Sequence, residues 1–117
     1  SETSCSAIRF VIAAMTPGAS TKAVDAVARS AIAEAGFGDY FSHGLGHGFG
    51  LQIHEAPFFR PSSDMPLESG MVVTCEPGVY LPGEFGVRLE DDVLITPDGP
   101  EVLTDYPRDL DECVVSL

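Results

Sequence analysis

The 117-residue chain carries 18 Asp and Glu against 6 Lys and Arg, a formal charge of −12. That balance argues against nucleic acid, whose affinity comes largely from basic residues neutralising phosphates, and against anionic membranes. Hydrophobic content of 44% and charged content of 21% are globular values that exclude a disordered chain, and the length suits one domain at most.

In chain order, Ile8, Val11, Ile12 and Met15 recur at i, i+3, i+4 and i+7, and this stripe predicts a helix over 6–16, stopped by Pro17-Gly18. Ser20-Thr21 offers an N-cap to a second helix over 21–35, whose stripe is Val24, Val27, Ala31, Ile32 and Ala35 and whose C-cap is Gly36. Both stripes read as core packing. Ala56-Pro57 and Arg60-Pro61 predict a loop running to about Gly70. A buried strand over 71–76 follows, stopped by Pro77-Gly78. Residues 79–81 and 87–90 flank a glycine-containing hairpin connection, the second strand continuing to about Ile95. A turn at 96–99 leads to a short strand over 101–104, and the tail from Asp105 is acidic. The fold class is therefore α+β, two helices and then an antiparallel sheet over 41–104. Residues 1–117 form a single unit without repeats or linkers.

No apolar run is long enough for a transmembrane span, and no basic segment followed by an apolar block suggests a signal peptide. Cys5, Cys75 and Cys113 are odd in number and widely spaced, which fits reduced thiols in a cytoplasm; without C-x-x-C spacing they are poor metal candidates.

The stretch over 43–55 is where chemistry concentrates. All three histidines, His43, His47 and His54, fall within it, interleaved with Gly44, Gly46, Gly48 and Gly50. Each glycine costs a helix roughly 1 kcal/mol relative to alanine, so the segment reads as extended or turning backbone that a ligand or another strand can approach closely. The glycine spacing matches neither a dinucleotide fingerprint nor a P-loop. The zincin spacing of His43 and His47 lacks the helix and the intervening Glu.

Glu76 ends the apolar strand, and Arg88, Glu90 and Asp92 alternate with Val87 and Leu89 so as to share one face. If the two strands are neighbours, Glu76 and Glu90 converge on His47, a donor set that suits Mn, Fe, Co or Zn. The alternative is that Glu90 pairs with Arg88 or Arg60 and Glu76 caps a strand end.

Three segments, His43-Gly-Leu-Gly-His47-Gly-Phe-Gly-Leu-Gln-Ile-His54-Glu-Ala-Pro57, Glu76-Pro-Gly-Val-Tyr80 and Val87-Arg-Leu-Glu90-Asp-Asp92, resemble in order and interval the C-terminal motifs of the pita-bread (M24) metallopeptidases. The branch they resemble most is that of Xaa-Pro dipeptidases and aminopeptidase P, the prolidase-like enzymes. The resemblance implies the C-terminal half of a pita-bread catalytic domain, two helices on a curved antiparallel sheet, hydrolysing Xaa-Pro peptide bonds at a dinuclear site of divalent metal (Mn, Co, Zn or Fe). It implies His47, Glu76 and Glu90 as metal ligands, with Glu90 bridging two ions. Glu76 and His54 would be catalytic, Glu76 as proton acceptor and His54 holding the substrate and stabilising the oxyanion. His43, His54 and Arg88 would bind substrate, with His43 on the proline side and Arg88 holding neighbouring carboxylates.

The chain departs from that pattern upstream. The family uses two further aspartate ligands on earlier strands, whereas the only aspartates before His47 are Asp25, in a helical pattern, and Asp39. The expectation is a partial catalytic domain that binds metal weakly or not at all on its own and is inactive alone. A dimer mate or a separate N-terminal half would cover its bare surface. The expected substrate is a proline-containing peptide. Two other readings are a non-catalytic binding or structural domain on the same fold, and a creatinase-like hydrolase of the same superfamily.

Overall fold

The computed structural model of the chain describes residues 2–116, with side chains from Ala7 onward, so the Cys5 thiol lies outside the described residues. Helix α1 spans Glu2–Ala13, beginning four residues before the sequence pattern suggested. Its end tightens into i→i+3 bonds, Ala14 N–H to Val11 O at 3.0 Å and Met15 N–H to Ile12 O at 2.9 Å, which carry the stripe as far as Met15. Helix α2 spans Thr21–Glu34, its N-terminus capped by the Ser20 hydroxyl, which accepts from Ala23 N–H at 3.2 Å. At its end Gly36 takes φ +89°, letting Phe37 N–H reach Ile32 O at 3.0 Å and Gly36 N–H reach Ala33 O at 2.9 Å. This crossed pair of bonds is a Schellman motif, which needs a left-handed residue where Gly36 stands.

Among the described residues seven strands follow: β1 Gly46–Gly48, β2 Glu55–Phe59, β3 Val72–Cys75, β4 Gly78–Leu81, β5 Phe85–Arg88, β6 Asp91–Thr96 and β7 Gly99–Val102. Five form an antiparallel sheet in the order β2-β1-β3-β6-β7, while β4 and β5 form a separate two-stranded hairpin. Ile8, Val11 and Val24 from the helices, with Met15 just past α1, bury against Phe59, Val73, Val93 and Ile95 from the sheet. Each such side chain removed from water stabilises the fold by roughly 1.5–3 kcal/mol. Along β6, Asp91, Val93 and Ile95 are buried and alternate with half-exposed Asp92, Leu94 and Thr96, the period of a strand with one covered face.

Three expectations are corrected. The segment predicted as loop after Ala56-Pro57 contains the edge strand β2. In its register Glu55 faces Gly48 and Phe58 faces His47, so Ala56 and Pro57 bulge out of the ladder, and Pro57, which has no N–H to give, sits where none is needed. The strand predicted to run unbroken from 87 to 95 is two strands in two sheets, parted at Leu89 and Glu90, so Arg88 shares no continuous face with Glu90 and Asp92. The return strand begins at Gly99, two residues earlier than expected, and ends at Val102. Within the tail, Arg108 grips the buried Asp91 carboxylate, which also accepts from the Thr104 hydroxyl at 2.5 Å. Among the described residues no helix is long and apolar enough to cross a membrane.

Candidate metal centre

The path of the histidine segment is set from α2. Asp25, 1% exposed, sits one turn before Arg29, and the two pair bidentately through Nε–Oδ2 at 2.9 Å and Nη2–Oδ1 at 3.0 Å. The pair then binds the backbone of 41–45: Arg29 donates to Phe41 O at 3.1 Å and His43 O at 3.0 Å, and Asp25 Oδ1 accepts from Leu45 N–H at 3.0 Å. Every second residue is engaged, as along the edge of a strand, so a side-chain ion pair stands where a neighbouring strand would be. Just beyond, β1 packs so close to β3 that a Cβ on Gly46 would overlap the Thr74 carbonyl oxygen, which explains a glycine at that position.

His47 lies in β1, half-buried. Its Nδ1 stands 2.9 Å from Gly48 O, and because a carbonyl only accepts, Nδ1 carries the proton. Nε2 faces Glu76 Oε1 at 3.1 Å. The buried Thr74 joins the two residues, accepting from His47 N–H at 3.0 Å and donating to Glu76 Oε1 at 2.9 Å. With Nδ1–H committed to Gly48, Nε2 meets a carboxylate oxygen, as an imidazolium N–H or through its lone pair. Such a pair needs a shared proton or a metal ion between its members. The donor chemistry of His47 and Glu76 thus fits a divalent ion.

Glu90 enters by register. The β3–β6 pairs run Val72↔Leu94 to Cys75↔Asp91, so one step further Glu76 stands opposite Glu90. Both carboxylates occupy the joints where the large sheet gives way to the hairpin, Glu76 between β3 and β4 and Glu90 between β5 and β6; Leu89 N–H to Pro77 O at 3.2 Å ties the joints together. Glu90 is more exposed than Glu76 and its ion pair is with Arg88, whose Nε is 3.7 Å from Glu90 and 3.8 Å from Glu76. Arg88 is itself half-exposed, so these pairs contribute little to stability. The Tyr80 hydroxyl beside it, and then the two carboxylates, hold the Arg88 guanidinium above its ordinary value. His47 and Glu76 are brought together, then, while Glu90 stands across from them. Among the described residues no three metal-capable side chains gather into one cluster.

The other two histidines separate. The exposed His54 stacks obliquely against His47, ring centroids 4.3 Å apart. His43 turns elsewhere, with Nδ1 2.7 Å from Gly44 O, Nε2 2.9 Å from the Tyr80 hydroxyl, and its ring against Phe41. Sequence reasoning assigned no role to Tyr80, Thr74, Asp25 or Arg29. Period-two spacing from Glu76 would have flagged Thr74; the i, i+4 spacing of Asp25 and Arg29 would have flagged an ion pair but not its backbone partners.

This geometry sits in a chain whose residues 2–97 match the sequence model of metallopeptidase family M24, and the chain belongs to that family. Among curated relatives, YkvY of Bacillus subtilis is 49% identical over 109 residues, covering 93% of this chain and 30% of the relative. Among solved structures, the prolidase from Pyrococcus horikoshii OT3 aligns with a TM-score of 0.89 at 44% identity, over 93% of this chain and 31% of that one. The prolidase from Pyrococcus furiosus aligns with a TM-score of 0.88 at 47% identity, over 92% and 32%. The chain thus spans about a third of the length of the proteins it matches, and its α+β fold is that part of the pita-bread prolidase architecture.

Proposed function

We propose that this chain carries part of the metal centre of an Xaa-Pro metallopeptidase, completed by acidic ligands from another segment or chain. The observation that supports this most is the His47–Glu76 pair, Nε2 facing a carboxylate oxygen at 3.1 Å with Thr74 holding both residues. His47, Glu76 and Glu90 would hold divalent ions, Mn, Co, Zn or Fe. Bound there, the metal would lower the pKa of a water towards neutrality and polarise the scissile carbonyl. The chain's own residues do the rest. Glu76 accepts the proton, Thr74 keeps its carboxylate oriented, and His54, exposed beside His47, hydrogen-bonds the substrate as charge develops on its carbonyl oxygen. Arg88 screens Glu76 from Glu90, and His43 lines the pocket for the proline side of a peptide substrate.

A dimer mate or an N-terminal segment would cover apolar side chains such as Leu51 and Ile53, which stand exposed beside His54. A monodisperse monomer in sedimentation at micromolar concentration would rule out the dimer. A second reading, a fold-retaining binding domain without turnover, is favoured by the lack of a three-donor cluster among the described residues.

Calorimetric uptake of Mn²⁺ or Co²⁺ and hydrolysis of Gly-Pro, by the chain alone and mixed with the N-terminal part of a prolidase, separate these readings. Weak uptake alone with turnover in the mixture is expected. Turnover by the chain alone would overturn the need for further ligands, and no uptake in the mixture would reject the metallopeptidase reading.

A further inference from the structure

Asp25 reaches the site through a single peptide plane. In a trans peptide the N–H and C=O point in opposite directions, and the only cis bond among the described residues is Ala56–Pro57. The Gly44–Leu45 peptide presents its N–H to Asp25 Oδ1 at 3.0 Å, so its carbonyl, Gly44 O, points away from α2, where His43 Nδ1 meets it at 2.7 Å. Arg29 fixes the preceding plane by donating to His43 O at 3.0 Å. A carbonyl cannot donate, so Nδ1 bears the hydrogen in this arrangement, and Nε2 accepts from the Tyr80 hydroxyl at 2.9 Å.

We infer that Asp25 is a positioning residue for His43: by accepting the Leu45 N–H it turns the Gly44 carbonyl onto Nδ1, fixing the Nδ1–H tautomer and presenting Nε2 as an acceptor to Tyr80. Asp25 touches neither ring and acts only through the peptide. That the His43–Tyr80 pair so oriented lines a peptide pocket rests on the function proposed above. The tautomer itself does not, because it belongs to the chain without metal.

The test is long-range ¹H–¹⁵N correlation spectroscopy of the full chain with ¹⁵N-labelled histidine, metal-free and at a pH where the rings are neutral. The wild-type chain should show His43 as Nδ1–H; an Nε2–H ring there overturns the inference without reference to any variant. Asp25→Ala should lower the ratio of Nδ1–H to Nε2–H by about fivefold, the worth of one hydrogen bond. Asp25→Asn keeps an acceptor for Leu45 N–H while losing the ion pair, and should retain the wild-type tautomer despite its lower stability. Asp91→Ala removes another buried carboxylate and controls for a loosened fold; a tautomer shift there as large as in Asp25→Ala would overturn the assignment. If Asp25→Ala does not fold, the through-bond coupling from Leu45 N–H to the Asp25 carboxyl carbon in wild type decides, its absence sinking the idea. Calorimetric metal uptake, which tests the proposed function, is independent of all these readouts.

Discussion

Cys75 and Asp91 face each other across β3 and β6, and both are buried. A thiol there cannot ionise cheaply. Burial, then Asp91 and Glu76, push the Cys75 thiol from 9.0 up to about 12.

At pH 8, iodoacetamide should therefore label the exposed Cys113 and leave Cys75 untouched until the chain unfolds, as read by peptide mass mapping. The same shift gives a pH dependence. The folded value is raised, so the unfolded chain releases the proton first; the contribution is full below pH 9.0 and is lost as pH rises towards about 12. Urea unfolding of wild type and Cys75→Ala should converge across that window, by at most about 1.4 kcal/mol per pH unit.

His47→Ala should lower Co²⁺ or Mn²⁺ uptake by at least tenfold, while unfolding in denaturant shifts by only about 1 kcal/mol, because the half-buried ring lies outside the apolar core. Unchanged uptake in calorimetry would mean that the metal binds elsewhere.

Gly46→Ala places a methyl group against the Thr74 carbonyl, where β1 and β3 cannot part without losing their bonds. We expect a loss of about 1–3 kcal/mol in thermal or chemical unfolding. Gly50→Ala, which meets only the movable Glu55 carboxylate, should cost clearly less.

The two arginines in the ion pairs around β5 and β6 should behave differently. Arg108→Ala strips partners from a carboxylate buried at the start of β6 and should destabilise the fold by about 2–4 kcal/mol. Arg88→Ala breaks looser, half-exposed pairs and should cost under about 1 kcal/mol. Equal losses in urea titrations would contradict this ranking.

Where local chemistry decides structure, the sequence was readable. The 3.6-residue stripe of α1, the Ser20 cap and the Gly36 stop appear as expected, because each depends on residues within one turn of one another. The β3 strand and the β4–β5 hairpin were equally legible from apolar runs bounded by Pro and Gly. Strand β2 was hidden because Pro57 disqualifies a central strand, and only the sheet order shows that it lies at an edge, in a bulge. The parting at Leu89 and Glu90 was hidden because alternation continues through it, whereas the choice of partner strand is a tertiary fact. At the site, the meeting of His47 with Glu76 was foreseeable from three motifs in order. The grip of Asp25 and Arg29 on backbone groups up to twenty residues away leaves no periodic trace.

The placement of Glu76 and Glu90 at the two joints of the hairpin has a mechanical meaning. The hairpin ladder closes on itself, but its base is pinned to the rest of the fold by Leu89 N–H on Pro77 O at 3.2 Å and by the Tyr80 hydroxyl on His43 Nε2 at 2.9 Å. A shift of the hairpin against the larger sheet would have to break those bonds first. The separation of the two acids is thus set at the braced base of the hairpin and not at its exposed tip, residues 82–84.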